Sequence, residues 1–214
     1  MTPRTRRETV AGPAGRIECA IDAPEGGVSL GLALACHPHP QFGGTMDNKV
    51  VQTLARAFVQ TGYTCVRFNF RGIGASEGAW DEGRGELEDA HAVLDAFRRD
   101  PSFSGRPCLL GGFSFGAWIA AELAHRLPEA EKPARVVLVG PSSEKHALPP
   151  LPAGTVVVHG ESDDIVPLSA TLDWARPHGL PVIVLPGVGH FFHGRISILK
   201  AVIAQQLLDL ARGS

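Results

Sequence analysis

No stretch of this chain approaches the roughly 18 consecutive apolar residues that a membrane-spanning helix requires. Basic charge is also scarce, with 20 Lys and Arg against 22 Asp and Glu and a formal charge of -2. Nucleic acids and anionic membranes need a concentrated basic surface, so neither is expected as the main partner. The one local basic run, Pro3 to Arg7, lacks the apolar segment of a secretory leader and reads as a frayed end. Cysteine is sparse, and Cys19, Cys36, Cys65 and Cys108 lie far apart, each in or beside an apolar run, with no C-x-x-C pair. They read as free buried thiols in a reducing, cytoplasmic setting. Arginine outnumbers lysine and alanine is abundant, a composition that suits a bacterium with a GC-rich genome.

Nucleotide and metal signatures are missing too. Gly72, Gly74 and Gly78 follow a strand-like run, but G-x-G-x-x-G would need glycine where Glu77 stands. No G-x-x-x-x-G-K-[ST] loop exists, and the paired histidines of HPHP and HFFH lack the H-E-x-x-H context of a zinc hydrolase. No cofactor and no metal are expected.

What the chain does have is an alternation of apolar runs and helical periods. Its 214 residues, 44% of them hydrophobic, suffice for one domain, 1–214, with no linker, repeat or low-complexity tract. Ser29–Pro38 reads as a strand and the segment from Met46 to Gly62 as a helix, with Val50, Val51, Leu54, Ala57 and Phe58 at helical spacing. Strands follow at Tyr63–Phe70, Pro107–Gly112, Arg135–Gly140, Thr155–Gly160 and Leu180–Gly187. Helices are read at Glu86–Asp100, from Phe115 to Leu127, and from about Ile196 to Leu210. Strands apolar throughout and separated by helices predict a parallel sheet covered on both faces. Residues 7 to 36 read as two or three hairpin strands forming an antiparallel edge.

Within this frame Ser114 stands between Gly112 and Gly116, where a strand meets a helix. A G-x-S-x-G turn at such a junction presents the hydroxyl above the carboxyl ends of the strands, and close strand–helix packing there admits only small residues two places either side. A hydroxyl is a weak nucleophile, so a base and an orienting acid are required. Asp163 and Asp164 follow a buried strand, and Asp163 is the candidate acid, with Asp164 a solvated neighbour. His190, after the last strand and preceded by Gly187 and Gly189, is the candidate base. Two backbone N–H groups must face the oxyanion. One is assigned to Phe115; for the other, Pro38 and Pro40 have no N–H, leaving His39 first and Gln41 second.

The blocks HPHPQFGGTMDNKVV, FNFRGIGASEG, GFSFGA, HGESDDIVP and GVGHFFHG together resemble the α/β-hydrolase superfamily, and within it the small lidless bacterial serine hydrolases akin to dienelactone hydrolases and carboxylesterases. The resemblance spans nearly the whole chain. It implies an α/β-hydrolase fold with an eight-stranded, mostly parallel sheet, an antiparallel N-terminal edge and helices on both faces. It also implies a Ser114, His190, Asp163 triad working through an acyl-enzyme without a cofactor. Dienelactone hydrolases use a cysteine nucleophile, so their substrate does not carry over to a chain with serine there. Only Pro141 to Gly154 separates two strands at the place where larger members insert a lid. An open site is therefore expected, lined by Phe42, Phe113 and Phe191 with Trp80 and Phe192 nearby, and suited to a small-molecule ester with a short acyl group. The same triad would serve a thioesterase or acyltransferase, and a hydrolase-like fold can also be a binding module.

Overall fold

A computed structural model describes residues 5–212. Eight strands form one sheet: β1 (Arg6–Gly12), β2 (Gly15–Asp22), β3 (Leu32–Cys36), β4 (Thr64–Phe68), β5 (Cys108–Phe113), β6 (Arg135–Val139), β7 (Val156–Gly160) and β8 (Val182–Leu185). Their spatial order is β1-β2-β4-β3-β5-β6-β7-β8. β2 pairs antiparallel with β1 and β4, and every other pairing is parallel. The antiparallel edge is thus the β1–β2 hairpin alone. β3 lies inside the parallel sheet between β4 and β5, as expected for the first strand of the alternation, so of the two or three hairpin strands expected over 7–36 only two form; its run LALAC is buried at every position and needs cover on both faces. Arg6 and Arg7, read as part of a frayed end, belong to β1, where Arg7 pairs with Glu18 and Asp47; Pro3 and Arg4 lie outside the described residues.

Among the described residues five α-helices flank the sheet: α1 (Lys49–Gln60), α2 (Arg84–Arg98), α3 (Phe115–Arg126), α4 (Leu168–Ala175) and α5 (Ile196–Arg212). The side chains divide into two apolar layers. One gathers Val93, Leu94 and Phe97 of α2 with Ile119 and Leu123 of α3 against the sheet; the other gathers Val51, Leu54 and Phe58 of α1 with Leu199 and Ile203 of α5. α1 starts where Asn48 accepts the N–H groups of Val50 and Val51. α4 is absent from the sequence reading. Leu168, Leu172 and Ala175 stand at helical spacing in it, but eight residues make only about two turns, too few for the period to mark a helix.

The four cysteines sit in β2, β3, β4 and β5, free and buried. Burial pushes the Cys19 thiol up to about 12 and Cys108 to about 11, which leaves them protonated packing groups. Among the described residues, no helix is long and apolar enough to cross a membrane.

Candidate active site

The loops at the carboxyl ends of β3, β5, β7 and β8 meet at one edge of the sheet. β5 ends at Phe113 and α3 begins at Phe115, so Ser114 alone makes the turn, at φ 56° and ψ -117°. A positive φ is strained for a residue with a β-carbon. Contacts on both sides hold it. Ser114 N–H donates to the carbonyl of Val139 at 2.9 Å, and the flanking glycines allow the tight crossing. A methyl at Gly112 would press into the carbonyl of Gly116, and one at Gly116 into the carbonyls of Cys36 and His37.

His190 Nε2 lies 3.0 Å from Ser114 Oγ, and His190 Nδ1 lies 2.7 Å from Asp163 Oδ2. The carboxylate can only accept, so Nδ1 carries the imidazole proton and Nε2 is left to accept from the serine hydroxyl. Asp163 Oδ1 in turn accepts the N–H groups of Val166 at 2.8 Å and Ile165 at 3.0 Å. Burial pushes the Asp163 carboxyl up, but the hydrogen bonds from His190, Val166 and Ile165 outweigh it and hold the group below the usual carboxylate range. Asp164 is exposed. The ring of Phe113 packs against that of His190, with centroids 4.9 Å apart.

The loop after β3 shows a comparable economy. His37 is fully buried; its Nε2 accepts the N–H of Phe70 at 3.1 Å, so Nδ1 carries the proton and donates to the carbonyl of Pro38 at 2.6 Å. In a trans peptide the N–H points opposite to the carbonyl, which turns the His39 N–H away from His37. The His39 carbonyl is held by the N–H groups of Phe42 and Gly44, both at 3.1 Å. Gln41 N–H is directed to His39 Nδ1 at 3.3 Å. The N–H groups of His39 and Phe115 have no hydrogen-bond partner among the described residues.

The aromatic residues separate by burial. Phe42 and Phe191 are 80% and 47% exposed and stand at the rim, with Trp80 half-buried against His39. Phe113, expected to line the pocket, is a correction: it is fully buried and backs His190 from the core. Phe192 is also fully buried, at φ 53°. The segment between β6 and β7 folds onto the Ser114 turn, with Ser142 N–H donating to the Ser114 carbonyl at 3.3 Å and His146 stacked on Trp118 at 4.3 Å. No group of three or more His, Cys, Asp or Glu among the described residues is arranged to hold a metal ion.

Comparison with known proteins agrees with this architecture. A family model described as serine aminopeptidase, S33, matches residues 43–156, a span that includes Ser114 but neither Asp163 nor His190. The chain belongs to this family of α/β-hydrolases. An α/β serine hydrolase homologue from Coxiella burnetii superposes on this hydrolase with a TM-score of 0.87 at 37% identity, covering 97% of this chain and 98% of that one. A Xanthomonas campestris α/β serine hydrolase without a lid gives 0.88 at 32% identity, covering 98% and 96%. An uncharacterized protein of Rickettsia prowazekii is 33% identical over 211 residues, 93% of this chain and 87% of the relative. The fold of this hydrolase matches that of the Xanthomonas campestris structure, which has no lid.

Proposed function

We propose that this hydrolase cleaves small esters of short acyl chain through a Ser114, His190, Asp163 triad. The observation that carries the reading is the continuous hydrogen-bond path from Ser114 Oγ through His190 to Asp163. His190 Nε2 takes the serine proton as Oγ attacks the ester carbonyl. Asp163 keeps the ring in the required tautomer and stabilises the imidazolium. The N–H groups of Phe115 and His39 receive the oxyanion, and their lack of other partners supports that role over Gln41. His190 then gives its proton to the leaving alcohol, and water releases the acid by the same route.

The short connection between β6 and β7 favours an exposed cleft, and the rim aromatics Phe42 and Phe191 offer apolar surface near the nucleophile without a deep acyl channel. The test is hydrolysis of p-nitrophenyl esters from acetate to palmitate, with a p-nitroanilide as the amide control. Wild type is expected to act on acetate and butyrate and to lose that activity in Ser114→Ala. Preference for palmitate or for the anilide would contradict the substrate assignment, and equal activity in Ser114→Ala would contradict the nucleophile.

A further inference from the structure

One buried polar side chain beside the triad has no part in the chemistry above. His159 lies near the end of β7, fully buried in a run of valines. A histidine in such a place must find partners for both ring nitrogens. Its Nε2 is 2.9 Å from the Val166 carbonyl and 3.4 Å from Asp163 Oδ2. A carbonyl only accepts, so Nε2 carries the proton and Nδ1 is the acceptor. Thr171 Oγ1, 3.2 Å from Nδ1, is then the donor, and it receives in turn the hydroxyl of Ser143 at 2.9 Å. One carbonyl sets the direction of the whole chain of bonds.

These bonds join two loops. At one end, the Val166 N–H returns to Asp163 Oδ1, so the Val166 carbonyl and the carboxylate belong to one turn. At the other, Ser143 follows Ser142, whose N–H holds the Ser114 carbonyl. Because His190 bridges Ser114 Oγ and Asp163 Oδ2, the path closes on itself. It runs through nucleophile, base, acid, His159, Thr171 and the 142–143 segment, back to the nucleophile's own backbone.

We infer that His159 and Thr171 are positioning residues for the triad acid, holding Asp163 against His190 by tying its loop to the segment packed on the nucleophile turn. Burial lowers the His159 imidazole below the usual histidine range, which keeps it neutral, with one donor and one acceptor nitrogen, at neutral pH. α4 acquires a purpose on this reading. Of its eight residues only Thr171 and Ala175 are buried, and Thr171 brings a hydroxyl to the one ring that needs it. The inference rests on Asp163 being the acid of the proposed triad.

Thr171→Val tests it, since valine keeps the shape and removes the hydroxyl. The variant is expected to lose roughly ten-fold or more in kcat on p-nitrophenyl acetate with KM within about two-fold, because geometry is disturbed and binding is not. The downfield proton resonance of the His190–Asp163 hydrogen bond is expected to broaden or vanish, and Thr171→Ser to restore both rate and resonance. His159→Phe, which keeps a ring and removes both nitrogens, is expected to behave like Thr171→Val. Unchanged kcat, or a lower kcat with the resonance intact, would overturn the inference. The resonance is read on the protein without substrate. A wild type that hydrolyses no ester therefore defeats the functional reading alone, while the resonance still reports whether the circuit holds the pair.

Discussion

The proposed oxyanion side of the cleft, formed by the loop after β3 and the turn before α3, presents backbone N–H groups held by glycines, prolines and one buried imidazole. The proposed acid–base side, formed by the loops after β7 and β8, presents side chains held by other side chains and by the backbone of the turn at Ile165 and Val166. The difference decides how each side fails. Backbone donors are displaced when a neighbour adds volume, whereas a side-chain network fails when a single hydrogen-bonding atom is changed at constant volume.

The largest expected effect breaks the side-chain half. Asp163→Asn preserves shape but turns an obligate acceptor into a group that can donate, which favours the wrong His190 tautomer. A fall in kcat of about 10⁴-fold is expected at neutral pH. Steady-state kinetics on p-nitrophenyl acetate measures it, and a loss below ten-fold would mean another group orients the base.

Gly116→Ala breaks the backbone half by volume. The added methyl meets the carbonyls of Cys36 and His37, backbone atoms that cannot rotate aside. A destabilisation of about 1–3 kcal/mol is expected, together with a fall in kcat as the two N–H groups part. Urea denaturation alongside kinetics checks both, and a variant as stable and active as wild type would refute the packing argument.

Acid should weaken both sides without mutation. Burial lowers His37 to about 4, so between about 6.5 and 4 the unfolded chain binds a proton that the folded one refuses. Stability is therefore full above about 6.5 and falls as pH drops toward 4, by roughly 3 kcal/mol from His37 alone. His159, also lowered by burial, acts in the same direction. Asp163, held below its usual range, contributes stability that is lost only as pH falls through that lower value. Urea midpoints from pH 7 to pH 4 test the order, and a flat profile would contradict it.

The smallest effect is expected at the rim. Phe42 is 80% exposed, so Phe42→Ala should change stability by no more than about 0.5 kcal/mol. It should raise KM for butyrate a few-fold with kcat unchanged. A fall in kcat instead would place Phe42 nearer the reacting atoms.

The two sides also differed in how far they could be read from the sequence. Gly112, Gly116, Pro38 and Pro40 constrain the backbone by residue type, so the Ser114 turn was legible in the sequence, and so was the narrowing of the proposed second donor to His39 or Gln41. Asp163 and His190 were legible as residue types after strands. The support behind them was not. His159 sits in a buried valine-rich strand that reads as uniformly apolar, although a lone histidine in such a run is itself a signal that partners must exist. Thr171 was hidden because α4 spans only eight residues, too few for its period to mark a helix. Phe113 was misplaced because composition cannot tell an aromatic that lines a cleft from one that backs the His190 ring from the core. The placement of β3 turned on burial at all five positions, which distinguishes an internal parallel strand from an edge.

The central claim, an activated serine at position 114, is tested most directly by intact-mass analysis after exposure to a fluorophosphonate. One covalent adduct on wild type, none on Ser114→Ala, and strongly slowed labelling of His190→Ala is the predicted result. A wild type that stays unlabelled while folded, or a Ser114→Ala that labels equally, would contradict it.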